Sequence, residues 1–127
     1  MADTVELCFP ARAELLALAR LTVATLGARA GFDYEEIEDL RLALDELCAP
    51  LASMDQTSAR LHVVFSWAPR TIEVHCRVDG PAPEPAAPFD DELSDRLLDA
   101  LVDEHGRASG DGGTSWLRKR RSVGDDP

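Results

Sequence analysis

Apolar and polar residues alternate over residues 4–9. Val5, Leu7 and Phe9 fall on one side and Thr4, Glu6 and Cys8 on the other, which is the period of a half-covered strand. Pro10 ends that pattern. Over 11–30 the period changes. Leu15, Leu18, Ala19, Thr22, Val23 and Leu26 recur at three and four, predicting a helix with one apolar stripe, and Gly31 stops it. A second helix is predicted over 34–49. Asp33 is placed to cap it, with Glu36 three residues on to complete a capping box, and Glu35, Glu36 and Glu38 suit the positive end of its dipole. Its buried stripe is Ile37, Leu40, Leu44, Leu47, Cys48 and Leu51. Pro50 has no amide hydrogen and clashes one turn back, so the helix ends or kinks there.

The clearest hairpin spans 61–67 and 71–78. Leu61, Val63, Phe65 and Trp67 line one face of its first strand. Ile72, Val74, Cys76 and Val78 line one face of the second, and Ala68, Pro69 and Arg70 make the turn. One dry face and one wet face predict an antiparallel sheet covered on one side. Residues 79–89 hold four prolines and read as a stiff connection. Helix returns over 90–104, with Leu93, Leu97, Ala100, Leu101 and Val102 as its expected buried side. A glycine-rich loop follows from Gly106 to Gly113, and a last strand from Thr114 to Arg121. The order β-α-α-β-β-α-β predicts an α+β fold, a two-layer sandwich of a mostly antiparallel sheet covered on one face by three helices. Residues 1–122 read as a single domain and 123–127 as a frayed tail.

Composition narrows the classes of function. The chain has 127 residues, 24 acidic against 13 basic, and a net charge of −11. That balance argues against nucleic acid or an anionic membrane as the main partner, because phosphate binding runs on clustered Lys and Arg. The one basic run, Arg118 to Arg121, reads as a solvated end of a terminal strand that discourages edge pairing. The apolar stretch from Leu15 to Ala30 is broken by Arg20, Thr22, Thr25 and Arg29, short of the about 20 apolar residues of a membrane span. The opening Ala2-Asp3-Thr4 lacks the basic start of a secretion signal, so a cytoplasmic location is expected. Cys8, Cys48 and Cys76 are odd in number and widely spaced, the pattern of reduced thiols. Neither they nor His62, His75 and His105 show zinc-ligand spacing, so no metal site is expected.

One stretch carries a resemblance. The segment FDYEEIEDLRLALDELCAPLA resembles the second helix of the RsbW-type anti-sigma factors, within the GHKL (histidine-kinase-like) ATPase superfamily. That helix reads roughly D-L-R-L-A-V-x-E-x-x-x-N-A. The opening VELCFPARAELLALAR is similar to the family's first strand and helix. The ending GGTSWLRKRR is similar to its last strand, which begins Gly-Thr. The resemblance implies a Bergerat-type fold. It gives Glu46 the place of the base that acts on a partner's serine. Four residues on, where the family has a magnesium-binding Asn, this chain has Pro50. Magnesium on a nucleotide needs hard oxygen ligands, and proline offers no side-chain oxygen.

The family's D-x-G-x-G motif follows the hairpin, and its Asp reads the adenine amino group. Two alignments are open. If Gly80 is the first Gly, the Asp position is Val78 and the second Gly is Ala82. If Asp79 is the Asp, Pro81 replaces the first Gly. Strand alternation puts Val78 in the inward row of Ile72, Val74 and Cys76 and points Asp79 the other way, so the adenine carboxylate reads as lost. The family's phosphate-cradling lid corresponds to Pro81 to Ser94, which has no glycine. From Asp79 to Asp95, both included, there are six acidic residues and no Lys or Arg. Gly113 and Thr114 match the family's final Gly-Thr. Asp79, Gly80, Gly113 and Thr114 are therefore read as vestiges of nucleotide contacts, with no bound metal and no cofactor expected.

The resemblance implies an anti-sigma regulatory factor that sequesters a sigma factor after losing its kinase. An anti-anti-sigma (STAS) protein would be a second partner, and a homodimer is implied. The alternative is an active serine-protein kinase that uses ATP and magnesium on the STAS partner, with Glu46 as base and Asp45 or Asp79 holding the metal. A third reading keeps the fold with a different protein target.

Overall fold

The computed structural model describes residues 3–52, 58–80, 91–107 and 114–121. The predicted connection over 79–89 falls mostly outside these, as do Gly113 and the tail over 123–127.

Strand β1 (Asp3–Pro10) leads through a 3-10 turn (Ala13–Leu15) into helix α1 (Leu16–Ala30) and then helix α2 (Tyr34–Cys48). A second 3-10 turn (Ala49–Leu51) closes α2. The hairpin is β2 (Arg60–Ala68) and β3 (Thr71–Asp79). Helix α3 (Asp91–Leu101), strand β4 (Glu104–Gly106) and strand β5 (Ser115–Arg120) follow. The strands form one antiparallel sheet in the order β1-β2-β3-β5-β4. This is the expected α+β sandwich with one strand more than the hydrophobic pattern shows. Leu61, Val63, Phe65, Ile72, Val74, Cys76 and Leu117 face the helices and are fully buried beside Val23, Leu40, Leu44, Leu47 and Leu98.

Local chemistry explains the ends of the elements. The Asp33 carboxylate accepts from the Glu36 amide, and the Glu36 carboxylate accepts from the Asp33 amide, both at 2.8 Å. This reciprocal pair satisfies two amides that a helix start leaves without partners. Gly31 ends α1 at φ +96°, a backbone region costly for any residue with a Cβ. After α2 the Ala49 amide still reaches the Asp45 carbonyl, but Pro50 has no amide to extend the ladder, and the chain tightens into the 3-10 turn.

Four sequence expectations are corrected. In α1, Leu18 lies half exposed and Leu16 takes its place in the core. In α3 the phase is wrong over most of the helix: Ser94 and Leu98 are buried, Leu93 and Leu97 are exposed at 55% and 41%, and Ala100 is exposed as well, while Leu101 packs against the core and Val102 is buried as expected. Helix α3 also stops at Leu101, before the expected 104, and the chain turns into β4. At Gly106 the space where a Cβ would stand is filled by the Trp116 indole on the neighbouring strand, so any larger residue would have to displace that ring.

The fourth correction concerns the basic run. With β4 outside it, β5 is an interior strand, and its cations hold elements together. Arg118 reaches Glu73 through Nε at 2.9 Å and Glu104 at 2.9 Å on the open face of the sheet. Arg120 pairs with Glu104 on that face. Lys119 faces the helices and donates from Nζ to the Leu101 carbonyl at 2.7 Å, at the negative end of α3. Arg121 donates to the Gly31 carbonyl at 3.0 Å and pairs with Glu36 at 3.4 Å. The run therefore ties the end of β5 to all three helices, since Lys119 also lies 3.9 Å from Asp39 of α2.

Candidate functional site

Glu46 sits in the last turn of α2 and faces α3. Its Oε2 accepts a hydrogen bond at 2.8 Å from the hydroxyl of Ser94, which is 2% exposed. The same hydroxyl oxygen accepts from the Arg107 guanidinium, whose Nε lies 3.4 Å from Asp95. One buried hydroxyl thus donates to a carboxylate and accepts from a cation, both bonds being charge-assisted. The chain Glu46–Ser94–Arg107 links α2, α3 and the residue after β4.

The neighbouring carboxylate is taken as well. Asp45 accepts from Arg20 of α1 at 2.8 Å. Pro50 lies in the 3-10 turn with a ring in place of any metal ligand. Among the described residues no group of three or more His, Cys, Asp or Glu side chains is placed to hold a metal ion.

Asp79 belongs to the other side of the sheet. Its carboxylate pairs with His62 at 2.9 Å and with Arg77, on the face turned away from the helices. His62 also lies 3.2 Å from the Cys8 sulfur, which accepts from Arg60 Nε at 3.2 Å. Val78 is paired with Leu61 and packs against the core. Gly80 is exposed at φ +96°. Thr114 is exposed just before β5, and Gly113 lies outside the described residues. The structure therefore does not gather the sequence candidates into one cluster. Glu46 is in the helical layer and Asp79 on the open face, with the sheet between them.

The sequence gives no role to Ser94 or Arg107 and no sign that Cys48 meets Cys76. Ser94 was legible in one respect: it stands four residues before Leu98, so any phase that buries Leu98 buries Ser94 too. The thiols of Cys48 and Cys76 touch at 3.1 Å in the core. The Cys48 thiol is raised well above its ordinary pKa, first by its hydrogen bond to Cys76, then by burial and by the nearby Asp45 charge.

A family model described as the histidine kinase-like ATPase domain matches residues 9–114, most of the chain. The chain belongs to this family. The antiparallel sheet with three helices on one face is the arrangement expected of a histidine kinase-like ATPase domain. Among individual relatives, the serine-protein kinase RsbW of Bacillus thuringiensis and that of Bacillus anthracis are each 31% identical over 74 residues, covering 57% of this chain and 46% of the relative. The serine-protein kinase RsbW of Bacillus cereus is 30% identical over 80 residues, covering 61% of this chain and 50% of the relative. The chain spans about half the length of the curated relatives it matches. Within this histidine kinase-like ATPase domain, the resemblance seen in the helix of residues 34–49 and the similarity to RsbW proteins point to the same branch. Among the described residues, no helix is long and apolar enough to cross a membrane.

Proposed function

We propose that the chain is an anti-sigma regulatory factor that binds and sequesters a sigma factor by protein contacts and no longer transfers phosphate from ATP. The observation that carries this reading is Pro50, four residues beyond Glu46 in the turn that ends α2. The resemblance requires a magnesium ligand at that position, and a proline ring supplies none. Neither of the two carboxylates offered as substitutes makes up the loss. Asp45 is held by Arg20, and Asp79 points to the opposite face of the sheet. Glu46, the place of the family's base, is already engaged by Ser94. These residues do not fit a magnesium nucleotide. The acidic chain suits a basic partner surface such as the regions of a sigma factor that touch DNA or polymerase, since opposite potentials steer association and select partners.

Two measurements test the proposal. Titration calorimetry with magnesium and ATP is expected to show no binding tighter than about millimolar. Capture from an extract of the native host with the tagged chain is expected to recover a sigma factor. A micromolar ATP isotherm, or a capture that yields no sigma factor, overturns it. The retained Glu46 and the RsbW relatives favour the serine-kinase reading instead. That reading predicts radiolabel transfer from ATP to a STAS-type protein, abolished in Glu46→Ala.

A further inference from the structure

Cys48 is the last residue of α2, and Cys76 lies in the middle of β3, 28 positions later. Cys76 is paired on both sides, with Val63 of β2 and Ser115 of β5, so its backbone is fixed within the sheet. Cys48 is held differently. It lies where the helical ladder is closing, and the residue two places on, Pro50, donates no hydrogen bond. The two sulfurs are already in contact at 3.1 Å, with Cys48 donating to Cys76. A disulfide bond is about 2.05 Å long, so the sulfurs must close by about 1 Å. The third cysteine, Cys8, is exposed on the far face of the sheet and takes no part.

We propose that Cys48 and Cys76 form an oxidisable dithiol, which hydrogen peroxide converts to an intrachain disulfide fastening the end of α2 to β3. Cys76, whose sulfur accepts the Cys48 S–H, is the attacking sulfur once it has lost its proton. It takes one oxygen of the peroxide as the O–O bond breaks, giving a sulfenic acid, and the departing hydroxide takes up a proton to leave as water. The Cys48 sulfur then attacks the sulfenic sulfur. The S–S bond forms, the S–O bond breaks, and the hydroxyl leaves with the Cys48 proton as a second water. Two thiols lose two protons and two electrons between them, and one peroxide takes these up to become two waters. Burial makes these thiols slower to react than Cys8. The consequence is local: the turn that carries Glu46 and Pro50 would be covalently tied to the sheet under oxidising conditions.

The test uses the full chain with Cys8→Ser, which removes the exposed thiol. The folded protein is treated with hydrogen peroxide, and thiols are then blocked with N-ethylmaleimide in denaturant. The expected product is lighter by about 2 Da than the starting protein and takes up no maleimide, and dithiothreitol restores both thiols. Digestion should yield one cross-linked pair of peptides containing residues 48 and 76. Because this readout needs no substitution in the core, it does not depend on a core variant folding. The oxidised form should also melt at a higher temperature than the reduced form. Two maleimide-reactive thiols surviving a treatment that fully oxidises Cys8 in the wild-type chain overturn the proposal. Stable sulfinic or sulfonic acids in place of the disulfide overturn it as well.

Discussion

Replacing Ser94 with alanine isolates the contact that joins α2 to α3. The substitution removes one oxygen and leaves two charged groups facing the gap, the Glu46 carboxylate and the Arg107 guanidinium. A hydrogen bond to a charged group is worth about 1.5–3 kcal/mol. Glu46 is only half-buried, and water can replace part of what is lost, which lowers the expected cost of Ser94→Ala to about 1–2 kcal/mol. With an unfolding entropy of about 2.1 cal/mol/K per residue, a chain of 127 residues should then melt roughly 4–8 °C lower. Thermal unfolding followed by circular dichroism measures the shift. A double-mutant cycle with Glu46→Ala assigns it, and a coupling of about 1 kcal/mol is expected for two groups in direct contact. A melting change below about 1 °C, or a coupling under about 0.3 kcal/mol, would refute the reasoning, because Ser94 would then not hold Glu46 in solution.

Three further outcomes follow from the packing. Leu98→Ala should cost about 2–5 kcal/mol in denaturant unfolding, because Leu98 is fully buried, while Leu97→Ala on the exposed side of α3 should stay within about 0.5 kcal/mol. A larger cost at Leu97 than at Leu98 would mean that α3 is docked by its other face. Asp33→Ala should lose about 1 kcal/mol through the broken capping box, and Asp33→Asn should recover most of it, as read from urea midpoints. The raised Cys48 pKa has a definite sign. In the unfolded chain the thiol ionises near about pH 8.5, whereas the folded thiol holds its proton higher, so the unfolded state binds fewer protons and stability falls as pH rises past that point, by at most about 1.4 kcal/mol per unit for this one group. Denaturant curves across the alkaline range should show a shallower slope for Cys48→Ala than for the wild type, and identical slopes would remove Cys48 as the cause.

Much of the architecture was legible wherever the signal is local. The Asp33–Glu36 box, the stop at Pro50 and the alternation of β2 and β3 each depend on residues only a few positions apart, and each stands in the structure as read. The misplaced features share a cause. In α3, leucines at 93, 97, 98 and 101 allow two phases of the apolar stripe, and periodicity cannot choose between them. The choice falls to the partner surface: Glu46 and Arg107 offer polar groups that a buried Ser94 hydroxyl can satisfy, which turns Leu98 inward. Strand β4 has three residues, too few for any period to register. Once it pairs, β5 becomes interior and its basic run turns from a solvated end into a set of tethers.

The same division holds at the site. Pro50 in place of a side-chain oxygen is a fact of covalent chemistry, and no folding can change which donors a proline lacks. Alternation by itself also puts Asp79 on the face opposite Val78, because successive side chains of a strand must point to opposite sides. The occupants of the space around Glu46 were beyond reach from the chain alone. Ser94 lies 48 positions away, and Cys48 meets Cys76 across 28. Such meetings depend on how helices seat on a sheet, which is governed by the summed fit of many side chains and leaves no periodic mark on any one segment.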